Sequence, residues 1–417
     1  MSFFLAGDGR GKRKAGRGMG KRTGPFKSQT VNASDEAAFR KAHKLLASLK
    51  EGAEDEDVEE RLREKAAASA GRLHRKIAEG VDIEEEEISY RAHRFSVVGV
   101  AVSPCGRFVV SVGKESTIVK YDVEARKVVG KISRDKSIAE KERKTHSGLV
   151  EAVAISHDGR LIATGGHDAI VKLWDFTSLA HVADLRGHRS PITSLVFRLN
   201  SPHLFSCSHD KTIRLWDCDQ IGFVDSMLGH NSAISCVAAL SRERVVSAGG
   251  QDKTLRMWKV FNGPSNCVSV DCVSMLNEDH FISGSSDGSL CLWSVLKKKP
   301  TCIQRHSHGV HESGEPRWVV SLCAIPYTDL VASGSNDGEL RLWKISEDYR
   351  KMEELMTYQV TGFINNISFC PRRSLLVLAV GQEHKAGRWW KEADARNSVV
   401  ILTLTGLEDL QANPDVQ

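Results

Sequence analysis

Beyond about residue 93 the apolar residues fall into short β-branched runs separated by turn residues, and the runs recur. Their endings read HDAIVKLWD (167–175), HDKTIRLWD (209–217), QDKTLRMWK (251–259), SDGSLCLWS (286–294) and NDGELRLWK (336–344). In each, an Asp stands six residues before a Trp: Asp168 and Trp174, Asp210 and Trp216, Asp252 and Trp258, Asp287 and Trp293, Asp337 and Trp343. The tryptophans are 42, 42, 35 and 50 residues apart, the spacing of a repeat built from one supersecondary unit. Upstream of each lies a strand of small residues: ATGG (163–166), FSCS (205–208), SAGG (247–250), ISGS (282–285) and ASGS (332–335). A strand, an Asp-Lys-Thr or Asp-Gly-Ser corner and a second strand make a tight hairpin. Gly187-His188 and Gly229-His230 open two of the units, and Thr145-His146 opens another.

A unit running from Gly-His to Trp-Asp resembles the WD-repeat family, whose repeats are four-stranded blades of a β-propeller. The resemblance covers roughly residues 93–404 and implies an all-β fold. It also implies a hydrogen-bonded chain inside each blade: His146, Thr164, Asp168 and Trp174 in one, His188, Ser206, Asp210 and Trp216 in the next. The following unit offers His230, Asp252 and Trp258, but places Ala248 at the Ser/Thr position, so its chain is expected to be incomplete. Three degenerate units complete the count. Residues 93–123 carry Tyr121 for Trp and Glu115 for Asp, the unit near Asn266 lacks the opening His, and 358–404 lacks the Asp–Trp ending. Seven blades would close a ring without exposed sheet edges, with Ile88 to Tyr90 pairing with the last blade. A His, a Ser and an Asp invite a catalytic reading, but their repetition marks them as structural.

The charge divides the rest of the chain. In residues 1–30, eight lysines and arginines, among them Arg10, Lys12, Arg13, Lys14, Arg17, Lys21 and Arg22, face one acid, Asp8. With seven glycines and almost nothing apolar, this stretch predicts a disordered basic tail, serving as a nuclear address, as a neutraliser of RNA phosphates, or both. Residues 31–88 read as a charged helical segment and acidic linker. Phe39, Ala42, Leu46 and Leu49 recur at helical spacing after Ser34 or Asp35, and Val58, Leu62, Ala66, Leu73 and Ile77 share a second face. The acidic run Glu84 to Glu87 reads as solvated linker. The propeller then takes 89–404, and 405–417 is a C-terminal tail. The ten cysteines form no Cys-x-x-Cys pair, which points to free thiols rather than disulfides or zinc, and no apolar run is long enough to span a membrane. The start carries no basic lead-in to an apolar stretch and does not read as a secretory signal.

Three insertions interrupt the repeats: Lys131 to Lys144, Arg305 to Pro316 and Gly381 to Asn397. The third, in AVGQEHKAGRWWKEADARNSV (379–399) after GFINNISF (362–369), is similar to the WD-repeat proteins of the U3 small nucleolar ribonucleoprotein. So are LSRERVVSAGGQDKTLRMWKV (240–260) and TDLVASGSNDGELRLW (328–343). The resemblance implies binding to the box B/C element of U3 small nucleolar RNA beside the kink-turn-binding protein of that particle. It further implies a place in the small-subunit processome, pre-18S ribosomal RNA processing and a nucleolar location. The residues themselves are compatible. Lys385, Arg388, Lys391 and Arg396 flank Trp389 and Trp390, and cations interleaved with aromatics suit phosphate contact plus base stacking. One or both tryptophans could instead anchor the loop. A second candidate group is Arg134, Lys136, Lys141, Arg143 and Lys144. The alternative is an interaction propeller of a chromatin or ubiquitin-ligase complex; the endings WDFT, WDCD, WKVF, WSVL and WKIS lack the Trp-Asp-x-Arg common in such receptors. His306, His308 and His311 lack zinc-site spacing and read as a surface loop, and no cofactor, metal or small-molecule substrate is expected.

Overall fold

A computed structural model describes residues 73–407, apart from 85, 135–143, 243, 259–260, 265–268, 312–313, 386 and 388–389. The basic tail, the first expected helix, most of the second and residues 408–417 lie outside the described residues. The described chain folds into seven antiparallel sheets. Blades 1 to 6 span residues 97–132, 150–186, 192–228, 234–264, 270–304 and 319–359, each with four strands running from the centre outward in chain order. Blade 7 supplies Phe363–Cys370, Leu375–Gly381 and Ser398–Thr405. The first strands neighbour one another around the whole ring, that of blade 7 lying against Val97–Val102 of blade 1.

The outermost strand of blade 7 comes from the other end of the chain. Ile88–Tyr90 pairs antiparallel with Ser398–Thr405, as the sequence suggests, and so does Asp82–Ile83. Ile83 faces Leu404 and Ile88 faces Ile401, so two extra residues are accommodated between them. The acidic run is that bulge, not a linker. Its described members Glu84, Glu86 and Glu87 are exposed, Glu86 pairs with Arg126, and the Tyr358 hydroxyl donates to Glu87. The ring therefore starts several residues before the boundary expected at 88/89.

Leu73 and Ile77 do not lie on a helix. Arg75 forms a parallel bridge with Thr328, and the amides of Ile77 and Ala78 donate to Asp329 Oδ1 at 2.8 and 3.1 Å. Within residues 73–81, Ala78–Gly80 makes a single 3-10 turn. Ile77, Ala78 and Val81 are buried with Leu330, Leu376 and Leu404. Helical spacing marks residues that want burial; here a buried carboxylate in the turn just before Leu330–Ser335 takes the amides that a helix would have used.

Inner strands are covered by a blade on each side and are buried along most of their length, which is why they read as apolar runs without strict alternation. Outer strands are largely exposed. The small-residue motif has a steric cause. A Cβ on Gly165 would meet Ile192 Cγ2 at 2.7 Å, and one on Gly334 would meet Ile364 Cγ2 at 2.6 Å, in each case on the first strand of the next blade. Close approach lets clusters such as Leu173, Leu185, Ile192, Phe197, Leu204 and Trp216 bridge neighbouring blades. Each large side chain so buried contributes about 1.5–3 kcal/mol.

Candidate nucleic-acid interface

The blade networks fix the corners on which any surface chemistry is displayed. In blade 3 the Trp216 indole N–H donates to Ser206 Oγ at 2.8 Å, Ser206 Oγ meets His188 Nε2 at 2.8 Å, and His188 Nδ1 meets Asp210 Oδ2 at 2.8 Å. A carboxylate can only accept, so Nδ1 carries the proton and the serine hydroxyl donates to Nε2. Blade 2 repeats the chain through Trp174, Thr164, His146 and Asp168. Burial opposes ionisation of Asp168 and Asp210, yet the hydrogen bonds from His146 and His188 win and hold both carboxyls below their ordinary range. Thr164 and Ser206 are wholly buried, so these hydroxyls reach no substrate; the triad is structural.

Three networks differ from the sequence reading. Blade 4 is complete, because Ser247, not Ala248, bonds His230 Nε2 at 2.7 Å and accepts from Trp258 Nε1 at 2.8 Å. Ser247 stands 11 residues before Trp258, where Ser206 stands 10 before Trp216, since one extra glycine lengthens the hairpin. In blade 6, His308 is buried and bonds Asp337 Oδ2 at 3.0 Å and Ser333 Oγ at 2.8 Å, with Trp343 donating to the same serine. It is therefore no surface-loop residue. In blade 1, His93 bonds Glu115 at 2.9 Å and Ser111 at 2.8 Å, and the tryptophan's place is taken by Tyr90 of the ring-closing strand. The Tyr90 hydroxyl meets Ser111 Oγ at 3.2 Å and its ring stacks on Tyr121 at 3.9 Å. Blade 5 has Trp293 donating to Ser283 and Asp287 accepting from Ser289, without a histidine.

In a four-stranded meander the connections from second to third strand and from fourth strand to the next blade emerge at the same end. All three insertions are of these two kinds: 131–144 and 305–316 join blades, and 381–397 joins the second and third strands of blade 7. Their described residues leave from one face of the ring. On it Arg134, Lys144, Lys391 and Arg396 are exposed, while Lys136, Lys141, Arg143, Arg388 and Trp389 lie outside the described residues.

The third insertion is tied down at its neck. Glu383 and Lys391 form an antiparallel bridge, Gln382 N donates to Asn397 Oδ1 at 2.9 Å, and Asn397 Nδ2 donates to Arg94 O at 3.1 Å. Trp390 is 39% exposed and rests against His311 (centroids 4.7 Å) and the edge of Phe363 (6.5 Å). It is anchored and available at once. Lys385 points inward instead: its ammonium donates to Val320 O at 3.0 Å on the first strand of blade 6. Lys114, nearly buried, bridges Glu383 Oε2 (3.1 Å) and Gly387 O (2.9 Å). Beside them, burial and then the charges of Lys385 and Lys114 push the His384 imidazole down to about 3.

This neutral histidine carries a prediction. Burial likewise lowers His74 and His230. His384 stays neutral in the fold while an unfolded histidine titrates near 6.5, and the other two are shifted in the same direction. Their contribution to stability is fully present above that value and is lost as pH falls below it. The melting temperature should hold above about pH 7 and fall by roughly 3–6 °C toward about pH 5. His384→Gln should flatten the fall; an unchanged pH profile in that variant would contradict the assignment.

Further cations share the face, and the sequence reading passed over them. Arg94 and Arg189 sit in the connections into blades 1 and 3, Arg186 ends the outer strand of blade 2 just before the second of these, and Lys211 and Lys253 follow the network Asp at their turns; all five are exposed. The signal was available: Lys211 and Lys253 are positive-φ turn residues (69° and 57°) directly after the buried Asp, which leaves their side chains no inward path.

The WD domain, G-beta repeat pattern matches residues 85–122, 139–175, 179–217, 222–259, 259–294 and 302–344, six of the seven units. U3 small nucleolar RNA-interacting protein 2 of Mus musculus is 44% identical over 366 residues, 85% of this chain and 77% of that protein, and its Homo sapiens counterpart is 44% identical over 363 residues, 84% and 76%. Ribosomal RNA-processing protein 9 of Saccharomyces cerevisiae is 33% identical over 172 residues, 33% of this chain and 30% of that one. The crystal structure of RRP9 WD40 repeats superposes with a TM-score of 0.74 at 36% identity, covering 78% of this chain and all of that one. With six matched repeats, a shared ring and two relatives of this closeness, the chain belongs to the WD40-repeat family, in the group that holds the U3 small nucleolar RNA-interacting proteins.

Proposed function

We propose that the chain is a non-catalytic RNA-binding scaffold subunit of the U3 small nucleolar ribonucleoprotein. In this reading it holds the box B/C region of U3 small nucleolar RNA beside the kink-turn-binding protein, within the small-subunit processome that processes pre-18S ribosomal RNA in the nucleolus. The observation that carries the proposal is the single face on which the insertions, the exposed cations and Trp390 converge. Phosphate contacts from Arg134, Arg189, Lys211, Lys391 and Arg396 would set affinity, and an unpaired base stacked on Trp390 would add about 1–3 kcal/mol. The names of the relatives, U3 small nucleolar RNA-interacting and ribosomal RNA-processing, support the choice of RNA. Arg388 and Trp389, and the tail cations from Arg10 to Arg22, are assigned the same role by composition.

Crosslinking in cells followed by sequencing of the RNA bound to the chain tests this reading. Enrichment of U3 RNA at its box B/C element is expected. Recovery of messenger RNA, or of no RNA, would favour an adaptor of a protein complex.

A further inference from the structure

The outer strand of blade 3, Gly222–Leu228, differs from the other long outer strands, those of blades 1, 2 and 6, while the outer strands of blades 4 and 5 are only four and three residues long. It is an edge, paired on one side only, with Thr212–Asp217. Edge strands are ordinarily blunted by charge. Lys127–Ile132 carries two lysines, His181–Arg186 an Asp and an Arg, and Met352–Gln359 two glutamates. Gly222–Leu228 carries one charge, Asp225, and exposes Phe223 (52%), Val224 and Leu228 (70%). Beside it, between blades 3 and 4, runs a groove of about 440 Å³ walled by Val224, Met227, Leu215, Phe205 and Trp258. Trp258 is the one network tryptophan that is not fully buried.

We propose that this groove receives a short extended segment of a partner protein, which adds to the edge of Gly222–Leu228, drops an apolar side chain against Trp258 and sets a Lys or Arg opposite Asp225. Three considerations select that occupant. Unpaired backbone groups beside an apolar wall ask for another polypeptide strand, whereas RNA asks for cations, and the groove's one arginine, Arg198, donates to Ser241 O at 2.8 Å. A second copy of this chain is disfavoured by charge: pairing the strand with itself about its middle sets Asp225 against Asp225. Size agrees, since a seven-residue edge, about 23 Å long, suits a linear segment and falls short of the surface a stable dimer buries. The groove lies on the side wall, so it can be filled while the insertion face holds RNA.

The test uses the full chain and a synthetic seven-residue peptide that alternates leucine and threonine with arginine at its centre, followed by fluorescence anisotropy. Saturable binding is expected, weakened about fivefold when the central arginine is glutamate. Val224→Glu should weaken it about tenfold or more, and Asp225→Lys should reverse the preference between the two peptides. Both positions are exposed, so the melting temperature should hold. Equal binding of the two peptides, no effect of Val224→Glu, or no binding would overturn the proposal. Competition by oligouridine would reassign the groove to RNA, and dimerisation abolished by Val224→Glu would reassign it to a second copy.

Discussion

Replacing Asp210 with alanine should destabilise the ring by about 3 kcal/mol, a fall of roughly 6–10 °C in melting temperature. Its side chain is 8% exposed and accepts from His188 Nδ1, Thr212 Oγ1 and the amides of Thr212 and Arg189. Alanine leaves those donors without an acceptor where water enters poorly, and each orphan costs about 1–3 kcal/mol before relaxation. His188 would also lose the partner that fixes its tautomer, loosening the Ser206–Trp216 end of the chain. Asp219, exposed at the opposite end of the same blade, is the control, and alanine there should stay within about 0.5 kcal/mol. Ser247→Ala should cost about as much as Ser206→Ala, because both accept a tryptophan N–H and meet a histidine. Chemical denaturation of the four variants measures these differences. Asp210→Ala within 1 kcal/mol of the parent, or a neutral Ser247→Ala, would contradict the network assignment.

The second large effect is on RNA. Arg189→Glu, Lys211→Glu and Arg396→Glu combined should weaken binding to a U3 box B/C transcript about 100-fold. The slope of log affinity against log salt should flatten by about two to three. These side chains are exposed, so the fold should persist. Reversing Lys297, Lys298 and Lys299 is the matched control. They are exposed too, but sit in a connection from third to fourth strand and hence on the other face. That variant should stay within about threefold, since it changes the net charge equally. Equal losses in the two variants would mean a charge effect without a defined face. Lys385 is left out because its ammonium is committed to Val320 O, so its reversal would disturb the fold as well as the surface.

The sequence disclosed the ring because an Asp six positions before a Trp is a local constraint, set by one hairpin and repeated. It disclosed less wherever a partner came from farther away. His308 completes blade 6 from 29 residues before Asp337, while the other histidines stand 22 before their acids, because the part of the 305–316 insertion that follows His308 lies between. Tyr90 completes blade 1 from the strand that closes blade 7, a relation no local spacing contains. The same 22-residue interval does join His93 to Glu115 and could have been found. Ser247 was hidden by one added glycine that shifts a four-residue motif by one place. Ile77 shows the limit of periodicity: the spacing was helical, but Asp329 and the core that Ile77 shares with Leu330, Leu376 and Leu404 decided the backbone. For the surface, sequence marked the insertions and their cations. That they share one face follows only from strand order, and that Lys385 turns inward only from packing.

The most direct measurement is a map of ultraviolet crosslinks between the intact chain and U3 RNA, read by mass spectrometry of the crosslinked peptides. Crosslinks are expected in the connections that hold Arg94, Lys144, Arg189 and Lys211 and in the 381–397 insertion, with Trp390 among the modified residues. Crosslinks gathered instead at the opposite corners, around Cys105, His157, Asn277 and Lys298, would contradict the account.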